Sequence, residues 1–374
     1  MEIVSSKIYF YYDIFKNLLI LLTLWSFLIF AKYKTNFSNQ TLFFFIISTF
    51  FPFFITNFFF EPEYMWDLIV YKKNLNFFRN FEFSFIEPKT VSNYFYSFLL
   101  ALTPLPFLDD VLRVGFTSKF IFLFFLIYLI HIKHINENSL LFLFMIFWPS
   151  TILYSSIGLR EIFVAITCYF VFVALIEKNL FKWIFAISIT LFIKPQNFLI
   201  LLLISIVFYP TIVLKLRFSY LVIFFSATFY FVLHFFSDYI FYNLNYYKQA
   251  LYEEDNNLDN YTDIIFDYKI VFLFLESSIN FLLSPMPNLI SNTFRLFQFL
   301  ENIVIISLIF VLGYQVFKIN KKLVVFLFFS LLLSSGIYGL VTSNPGSIAR
   351  WRYPFFFTII LLFNFIKQKE KSPK

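Results

Sequence analysis

The sequence predicts an all-α protein, a polytopic integral membrane helical bundle with about 11–12 membrane segments and with re-entrant or interfacial helices. The 374-residue chain is 60% hydrophobic, and only 14% of its residues are charged. Its mean hydropathy is +0.78. Mostly apolar runs of about 17 or more residues recur along it, each long enough to cross the hydrocarbon of a bilayer. Strands of a membrane barrel would alternate between apolar and polar residues, so helices are expected instead.

The membrane segments follow these apolar runs, and the whole chain, 1–374, is interpreted as a single transmembrane domain. Segment 181–193 is short and is expected to form a tilted or broken pair with the next one around Lys194 and Pro195. The first run lacks a small-residue cleavage site and is expected to stay as a membrane helix. The expected segments are 14–31, 41–60, 92–108, 117–131, 139–156, 160–176, 181–193, 196–213, 218–236, 296–317, 323–341 and 353–366.

Charged residues in the loops predict the orientation, because cytoplasmic loops of membrane proteins are rich in Lys and Arg. The tail 367–374 has four Lys and one Glu and is expected in the cytoplasm, whereas the acid-rich loop 237–295 is expected outside. Counting back through the segments places Arg160 and Arg350 on the external side as well. The predicted location is the inner (plasma) membrane of a bacterium.

The first third of the chain allows two topologies. If segment 92–108 crosses the membrane, loop 61–91 is cytoplasmic. Pro104 and Pro106 interrupt that segment, however, so it can instead dip in and return, which makes loop 61–91 external. The second arrangement is preferred. Amphipathic stretches at 64–83 and 269–288 are expected to lie in the interface or to re-enter.

The composition excludes several classes of function. The single cysteine, Cys168, rules out an intramolecular disulfide and a multi-cysteine metal site, and the three His residues are scattered. No metal site and no cofactor are therefore expected. With six Gly and no glycine-rich phosphate loop, ATP-driven transport within this chain is excluded. The net charge of +7 suits basic cytoplasmic loops and does not indicate a nucleic-acid partner.

Three polar interruptions of the apolar sequence are the candidate binding sites, because a charge at the membrane is costly without an anionic or polar partner. They are 155–163, 194–197 and 342–356. The first opens a helix, whose N-terminus favours an anion. The expected ligands of a lipid diphosphate or sugar are Arg160, Glu161, Lys194, Gln196, Arg350 and Arg352.

Each of these residues also has a plainer interpretation. Arg160 can reach lipid headgroups from the interface, and Lys194 can be a loop cation. Arg350 and Arg352 would diverge on a helix, but on an extended turn after Pro345 they would point the same way and straddle one diphosphate. Arg160 and Arg350 are expected to converge in one electropositive pocket.

The candidate catalytic acids are three aspartates, Asp67, Asp109 and Asp110. A carboxylate near an arginine cluster can accept a proton from a sugar hydroxyl. The alternative for each is a solvated loop acid.

Four short motifs follow one another in the chain: 67-DLIVY-71, then a Glu-Pro pair at 87–88 before an apolar segment, then 159-LRE-161, and then a polar break at 194-KPQ-196. Their order resembles that of the EpsG-like and Wzy-like polysaccharide polymerases, which are related to the GT-C membrane glycosyltransferases. The resemblance covers about residues 60–200, with the turn around Arg350 as a looser match. In the last break this chain has Lys-Pro-Gln where the family pattern has a His.

The resemblance implies a glycan polymerase that joins polyprenyl-diphosphate-linked oligosaccharide units at the outer face of the inner membrane. Its partners would be the lipid-linked oligosaccharide and membrane lipids, with a flippase or a chain-length regulator as candidate protein partners. A GT-C-type glycosyltransferase that uses a polyprenyl-phosphate sugar, and a flippase or another transporter of lipid-linked glycans, remain alternatives.

Overall fold

The computed structural model describes residues 2–56, 66–80, 91–208, 238, 241–253, 261–265, 269–287, 290, 293–342 and 344–371. Its regular structure over these residues is helical, with no β-strand among them, which confirms the predicted all-α class. The described residues include four helices that are long and apolar enough to cross a membrane, Tyr11–Thr35, Val111–His131, Thr293–Phe317 and Lys321–Val341. A bent pair of helices would make a fifth span.

The chain divides into two compact units. Unit 1 contains Met1–Ile166, Phe192–Pro195 and Lys374, and unit 2 contains Thr167–Leu191 and Gln196–Pro373. The single transmembrane domain expected from the sequence stays a prediction.

Unit 1 is built from helices along the first 166 residues. They are α1 (Glu2–Thr35), α2 (Asn39–Ser48), α3 (Phe51–Phe54), α4 (Trp66–Arg79), α5 (Val91–Ala101), α6 (Val111–His131), α7 (Leu140–Phe147), α8 (Pro149–Ser156) and the first turns of α9 (Glu161–Ile176). Helix α6 is the most buried of the four long apolar helices, because α1, α3, α4, α5 and α8 all pack against it. It begins at Val111, where Asp110 is the N-cap.

Two expected membrane segments of unit 1 are interrupted. The segment expected at 92–108 is helical only as far as Ala101, and Arg79 holds the following non-helical stretch by donating to the carbonyls of Thr103 and Leu105 at 2.8 and 2.7 Å. The segment expected at 139–156 breaks at Trp148, where α7 ends and Pro149 opens α8. Proline lacks an amide hydrogen and is tolerated at the start of a helix, which accounts for the second break.

A close helix crossing fixes α6 against α8. A Cβ atom on Gly115 would lie 2.0 Å from the carbonyl oxygen of Ser156, so only glycine fits there. The end of α8 is therefore held against the first turns of α6, and the bend that follows α8 starts from a fixed point.

Unit 2 contains the remaining helices. They are the later turns of α9, then α10 (Leu180–Ile193), α11 (Pro195–Phe208), α12 (241–253), α13 (Ile270–Leu283), α14 (Thr293–Phe317), α15 (Lys321–Val341) and α16 (Pro345–Lys371). Helix α13 packs along α15, and α16 packs against α14 and α15. The helices α10, α11 and α13 are apolar but, over the described residues, below the length of a span. Helix α10 matches the short segment expected at 181–193, and the end of the segment expected at 196–213 lies outside the described residues.

Glycines allow the contact between α13 and α15. A Cβ atom on Gly339 would lie 2.3 Å from the carbonyl oxygen of Ser277, and one on Gly336 would lie 2.2 Å from the ring of Phe274. Both glycines are on α15, three residues apart, and so share one helix face.

Several expectations concern residues outside the described ranges. They are the membrane segment 218–236, parts of loops 61–91 and 237–295, the Glu-Pro pair at 87–88 and the last residues of the tail. The predicted sides of the membrane stay predictions as well.

Candidate functional site

A sharp bend between α8 and α9 forms the centre of the candidate site in unit 1. The two helices meet at 111°, and residues 157–160 connect them. Gly158 has a φ of 72°, in the left-handed region that favours glycine, and a Cβ atom there would lie 2.7 Å from Val114 Cγ1. The hydroxyl of Tyr96 donates to the Gly158 carbonyl at 2.8 Å. The backbone at the bend is therefore fixed, which confirms the turn predicted here.

Arg160 follows this bend and stands directly before the first residue of α9. Its Nη1 donates to Ser92 Oγ at 3.2 Å and, weakly, to the Ile193 carbonyl at 3.4 Å. The guanidinium lies 5.8 Å from the ring centroid of Tyr71, within the range of a cation–π interaction. Its Nε is buried and has no hydrogen-bond partner among the described residues. Part of the side chain stays exposed, so the group remains able to meet a ligand.

The structure brings Glu161 and Lys194 to the same place. Lys194 Nζ lies 3.9 Å from Glu161 Oε1, an ion-pair distance that is too long for a hydrogen bond. Glu161 is fully buried, and Lys194 is 7% exposed. Glu161 opens α9 and Lys194 precedes α11, so two helix breaks that are 33 residues apart in sequence supply one cluster.

The cluster is defined here as Arg160, Glu161, Lys194 and Tyr71. It contains two cations and one carboxylate, so its formal charge is positive. The guanidinium and the α9 N-terminus both favour an anion. The arrangement can stabilise negative charge that develops on a bound phosphate, and Glu161 holds Lys194 in position.

Asp67 belongs to the same part of unit 1. It lies in the first turn of α4, one helical turn before Tyr71, so both residues share one face of the helix. Its side chain is partly exposed. The ring of Tyr71 is buried and packs edge-on against Tyr96, with centroids 4.7 Å apart. A role for Asp67 as the base stays a prediction.

Asp109 and Asp110 have structural partners. Asp109 accepts a hydrogen bond from Lys16 at 2.5 Å and another from Arg113, which also binds Asp13 at 2.7 Å. Although partial burial acts to raise the pKa of Asp109, the hydrogen bonds from Lys16 and Arg113 lower it below its usual value. A weakly basic carboxylate is a poor general base near neutral pH. Asp110 accepts from the Val111 amide as the N-cap of α6. These contacts favour structural roles for both residues.

The expected extended turn that carries Arg350 and Arg352 is wrong, because α16 already begins at Pro345 and both arginines are helical. Two residues apart on a helix, their side chains point in different directions. Proline suits the first position of a helix, so Pro345 starts α16 instead of delaying it. The two arginines therefore do not form the two-pronged site that an extended segment would give.

Arg352 is 2% exposed and caps the end of α13. Its Nη1 donates to the carbonyls of Phe281, Leu282 and Ser284 at 2.8, 2.7 and 2.9 Å, and its Nη2 donates to Asn302 Oδ1 at 2.6 Å. A cation beside the last carbonyls of a helix is favourable. These contacts account for the burial of Arg352 without a ligand, and diphosphate binding by it stays a prediction.

The remaining expected ligands, Arg350 and Gln196, both belong to unit 2. Arg350 is partly exposed in unit 2, and Gln196 is exposed in the first turn of α11. Since Arg160 belongs to unit 1 and Arg350 to unit 2, their convergence in one pocket stays a prediction.

Lys119 is a residue that sequence reasoning missed. It is fully buried in α6, and its Nζ donates to Ser155 Oγ at 2.6 Å and faces the rings of Phe51 and Phe122 at 5.3 and 5.6 Å. The sequence interpretation started this segment at 117, which placed Lys119 at the membrane edge. Because α6 begins six residues earlier, Lys119 lies in its third turn. The feature of the sequence that could have identified Lys119 is a lysine inside an apolar run.

Among the described residues, no group of three or more His, Cys, Asp or Glu side chains could hold a metal ion. Comparison with known proteins finds no family model, no curated protein and no solved structure that matches this chain.

Proposed function

We propose that this protein is a membrane glycan polymerase that joins polyprenyl-diphosphate-linked oligosaccharide units for a surface polysaccharide. The observation that supports this function is the cluster of Arg160, Glu161, Lys194 and Tyr71. Three short motifs that are far apart in the sequence, 67-DLIVY-71, 159-LRE-161 and 194-KPQ-196, contribute to it. The partners of this reaction would be the lipid-linked oligosaccharide and the surrounding lipids.

The reaction requires cations that stabilise a leaving diphosphate, and the cluster contains two cations. The acceptor hydroxyl oxygen attacks the anomeric carbon of the lipid-linked sugar, and a new C–O bond forms as the C–O bond to the diphosphate breaks. The diphosphate leaves with the bonding electron pair, and the hydroxyl proton passes to a carboxylate. Arg160 and Lys194 would stabilise the leaving group electrostatically. Asp67, on the same helix face as Tyr71, is the proposed base.

Arg160 suits a phosphate better than a purely structural role. A guanidinium presents paired donors that match phosphate oxygens, and the Nε of Arg160 has no hydrogen-bond partner among the described residues. Its weak bond to the Ile193 carbonyl, at 3.4 Å, can be exchanged for a stronger charge-assisted bond to a ligand. In contrast, the fork of Arg352 is already occupied by carbonyls.

A deletion strain complemented with single variants tests the proposal. Arg160→Ala and Lys194→Ala should each reduce the long-chain surface glycan ladder about a hundredfold, while the band with a single repeat unit remains. Arg160→Lys should also fail, because a point charge does not replace a two-pronged donor. The matched control is Lys182→Ala, whose side chain is 60% exposed and forms a surface ion pair with Glu177.

The form of the glycan separates polymerisation from the other candidates. A shortened or altered repeat unit would indicate a single-sugar transferase of the GT-C type. Lipid-linked units that accumulate on the inner side of the membrane would indicate a flippase. A normal ladder in the Arg160→Ala strain, with the protein present in the membrane fraction at its usual amount, would contradict the proposal.

A further inference from the structure

A cavity in unit 2 shares no described lining residue with the cluster defined above. Its volume is about 400 Å³, within the range of small-molecule pockets. Helices α12, α13, α15 and α16 surround it together with the segment 261–265, and all of its lining belongs to unit 2. The polar lining residues on which the argument rests are Lys248, Asn280, Ser277, Ser284 and Thr342.

Two hydroxyl groups of this lining are buried without hydrogen-bond partners among the described residues. They are Ser284 Oγ, on a residue that is 4% exposed, and Thr342 Oγ1, on one that is 6% exposed. A buried polar atom without a partner loses its hydrogen bonds to water without replacement, so such atoms are rare unless something polar binds them. Both residues are C-caps, of α13 and α15, so the ends of these two helices form part of the cavity wall.

The electrostatics of the cavity favour a neutral ligand. Among the described residues that line it, Lys248 is the one lysine, and Asp263 in the same wall balances it. The Lys248 amine already donates to the Thr262 carbonyl at 2.5 Å and faces the rings of Tyr252 and Tyr261. Burial lowers the pKa of Lys248, and Asp263 acts in the opposite direction.

The helix ends around the cavity also disfavour an anion. Helices α13 and α15 both end there, and a helix C-terminus carries partial negative charge. Arg352 already caps the last carbonyls of α13, so the uncompensated end is that of α15. Helix α16 starts nearby, but Asn344 already accepts from the amides of Gly346 and Ile348. An anion would therefore meet carbonyls and a compensated lysine.

We propose that this cavity binds a neutral saccharide unit. A sugar offers several hydroxyls that both donate and accept, as the unpartnered hydroxyls and the side-chain amide of Asn280 require. It also has an apolar ring face, which can lie against an aromatic side chain. Phe281 and Tyr252 provide such side chains in the wall. The ring of Phe281 is fixed by stacking on Tyr338, with centroids 6.0 Å apart.

Saturation-transfer NMR on the full chain tests this site. The protein is purified in a detergent without a sugar head group, because a maltoside would compete. The probes are glucose, galactose, rhamnose and N-acetylglucosamine at millimolar concentration, with inorganic phosphate as the anionic probe. We expect saturable binding of at least one sugar that phosphate does not displace.

Two variants connect that binding to the cavity. Thr342→Val removes one unpartnered hydroxyl at nearly constant shape and should weaken sugar binding about tenfold, the effect of one lost hydrogen bond to a buried group. Its thermal midpoint should not fall, because the hydroxyl has no described partner to lose. Ser330→Ala is the control, since the Ser330 hydroxyl bonds within α15 to Phe326 and is not part of the cavity. It should bind sugar as the wild type does.

Three results would overturn the proposal. They are the absence of saturable binding by any sugar of the panel, competition by phosphate, and unchanged binding in Thr342→Val. The measurement needs no catalytic turnover. Loss of polymer in cells together with intact sugar binding would therefore not affect this proposal, and a normal ladder in the Arg160→Ala strain would count against the proposed function alone.

Discussion

At the scale of single residues, buried charges differ in how completely the protein satisfies them. Arg352 donates to three carbonyls and one amide oxygen, and Arg113 binds Asp13 and Asp109. Arg160 keeps a buried Nε without a described partner and part of its surface exposed. Arginines whose donors are bonded within the protein stabilise the fold, whereas an arginine at a helix start that keeps a donor without a described partner is available to a ligand.

We expect Arg352→Ala to destabilise the protein by on the order of 3 kcal/mol, because it leaves several buried carbonyls without donors. Arg352→Lys should recover only part of this loss, since a single ammonium cannot reach all of these acceptors. The free energy of unfolding in detergent, followed by thermal or denaturant unfolding, measures the effect. Arg350→Ala, at a partly exposed position two residues away, is the control and should cost much less. An Arg352→Ala protein as stable as the wild type would contradict the capping role.

At the scale of helices, glycine determines where two backbones touch. Gly115 brings α6 to the end of α8, and Gly339 brings α15 to α13. In both cases the nearest atom to an added Cβ would be a backbone carbonyl oxygen, which cannot rotate away as a side chain can. The chain has only six Gly, and these two make contacts that no other residue allows.

Gly339→Ala should destabilise unit 2 by about 1–3 kcal/mol, because the new methyl group would lie 2.3 Å from the Ser277 carbonyl oxygen and force α13 away. The matched control is Gly346→Ala on α16. Its Cβ would meet only the flexible side chain of Asn344, at 3.3 Å, so the change should stay within about 0.5 kcal/mol. Thermal unfolding of both variants in the same detergent gives the comparison. Equal midpoints for the two variants would show that the α13–α15 contact is not tight.

At the scale of the whole molecule, the composition and the long apolar helices are compatible with a multi-pass membrane protein, and charge predicts its orientation. A cysteine placed at Asn257, in the acid-rich loop, should react with a membrane-impermeant maleimide in intact cells, and one at Ser372 should react only after lysis. The native Cys168 is fully buried, so the unmodified protein is expected to give little background. The opposite pattern of labelling would reverse the predicted topology and move Arg160 to the cytoplasmic side.

The sequence by itself determined the class of the fold and the places where helices break. The apolar runs, the prolines and the polar interruptions are local signals, and the bend at 157–160 and the break before Pro195 follow directly from them. The same local signals did not predict where some helices begin. Helix α6 starts at Val111 instead of 117, so Lys119 lies in its third turn and is buried inside the protein. Helix α16 starts at Pro345, so Arg350 and Arg352 are helical.

Only the tertiary structure decided which of these breaks lie together. The contact between Glu161 and Lys194 and the placement of Arg160 over Tyr71 depend on how several helices pack, and no local pattern encodes that packing. The same is true of the ion pairs of Asp109, the carbonyls around Arg352 and the cavity wall in unit 2. A charged residue in an apolar sequence indicates that a polar partner is needed. Which residue is the partner depends on contacts between residues far apart in the chain.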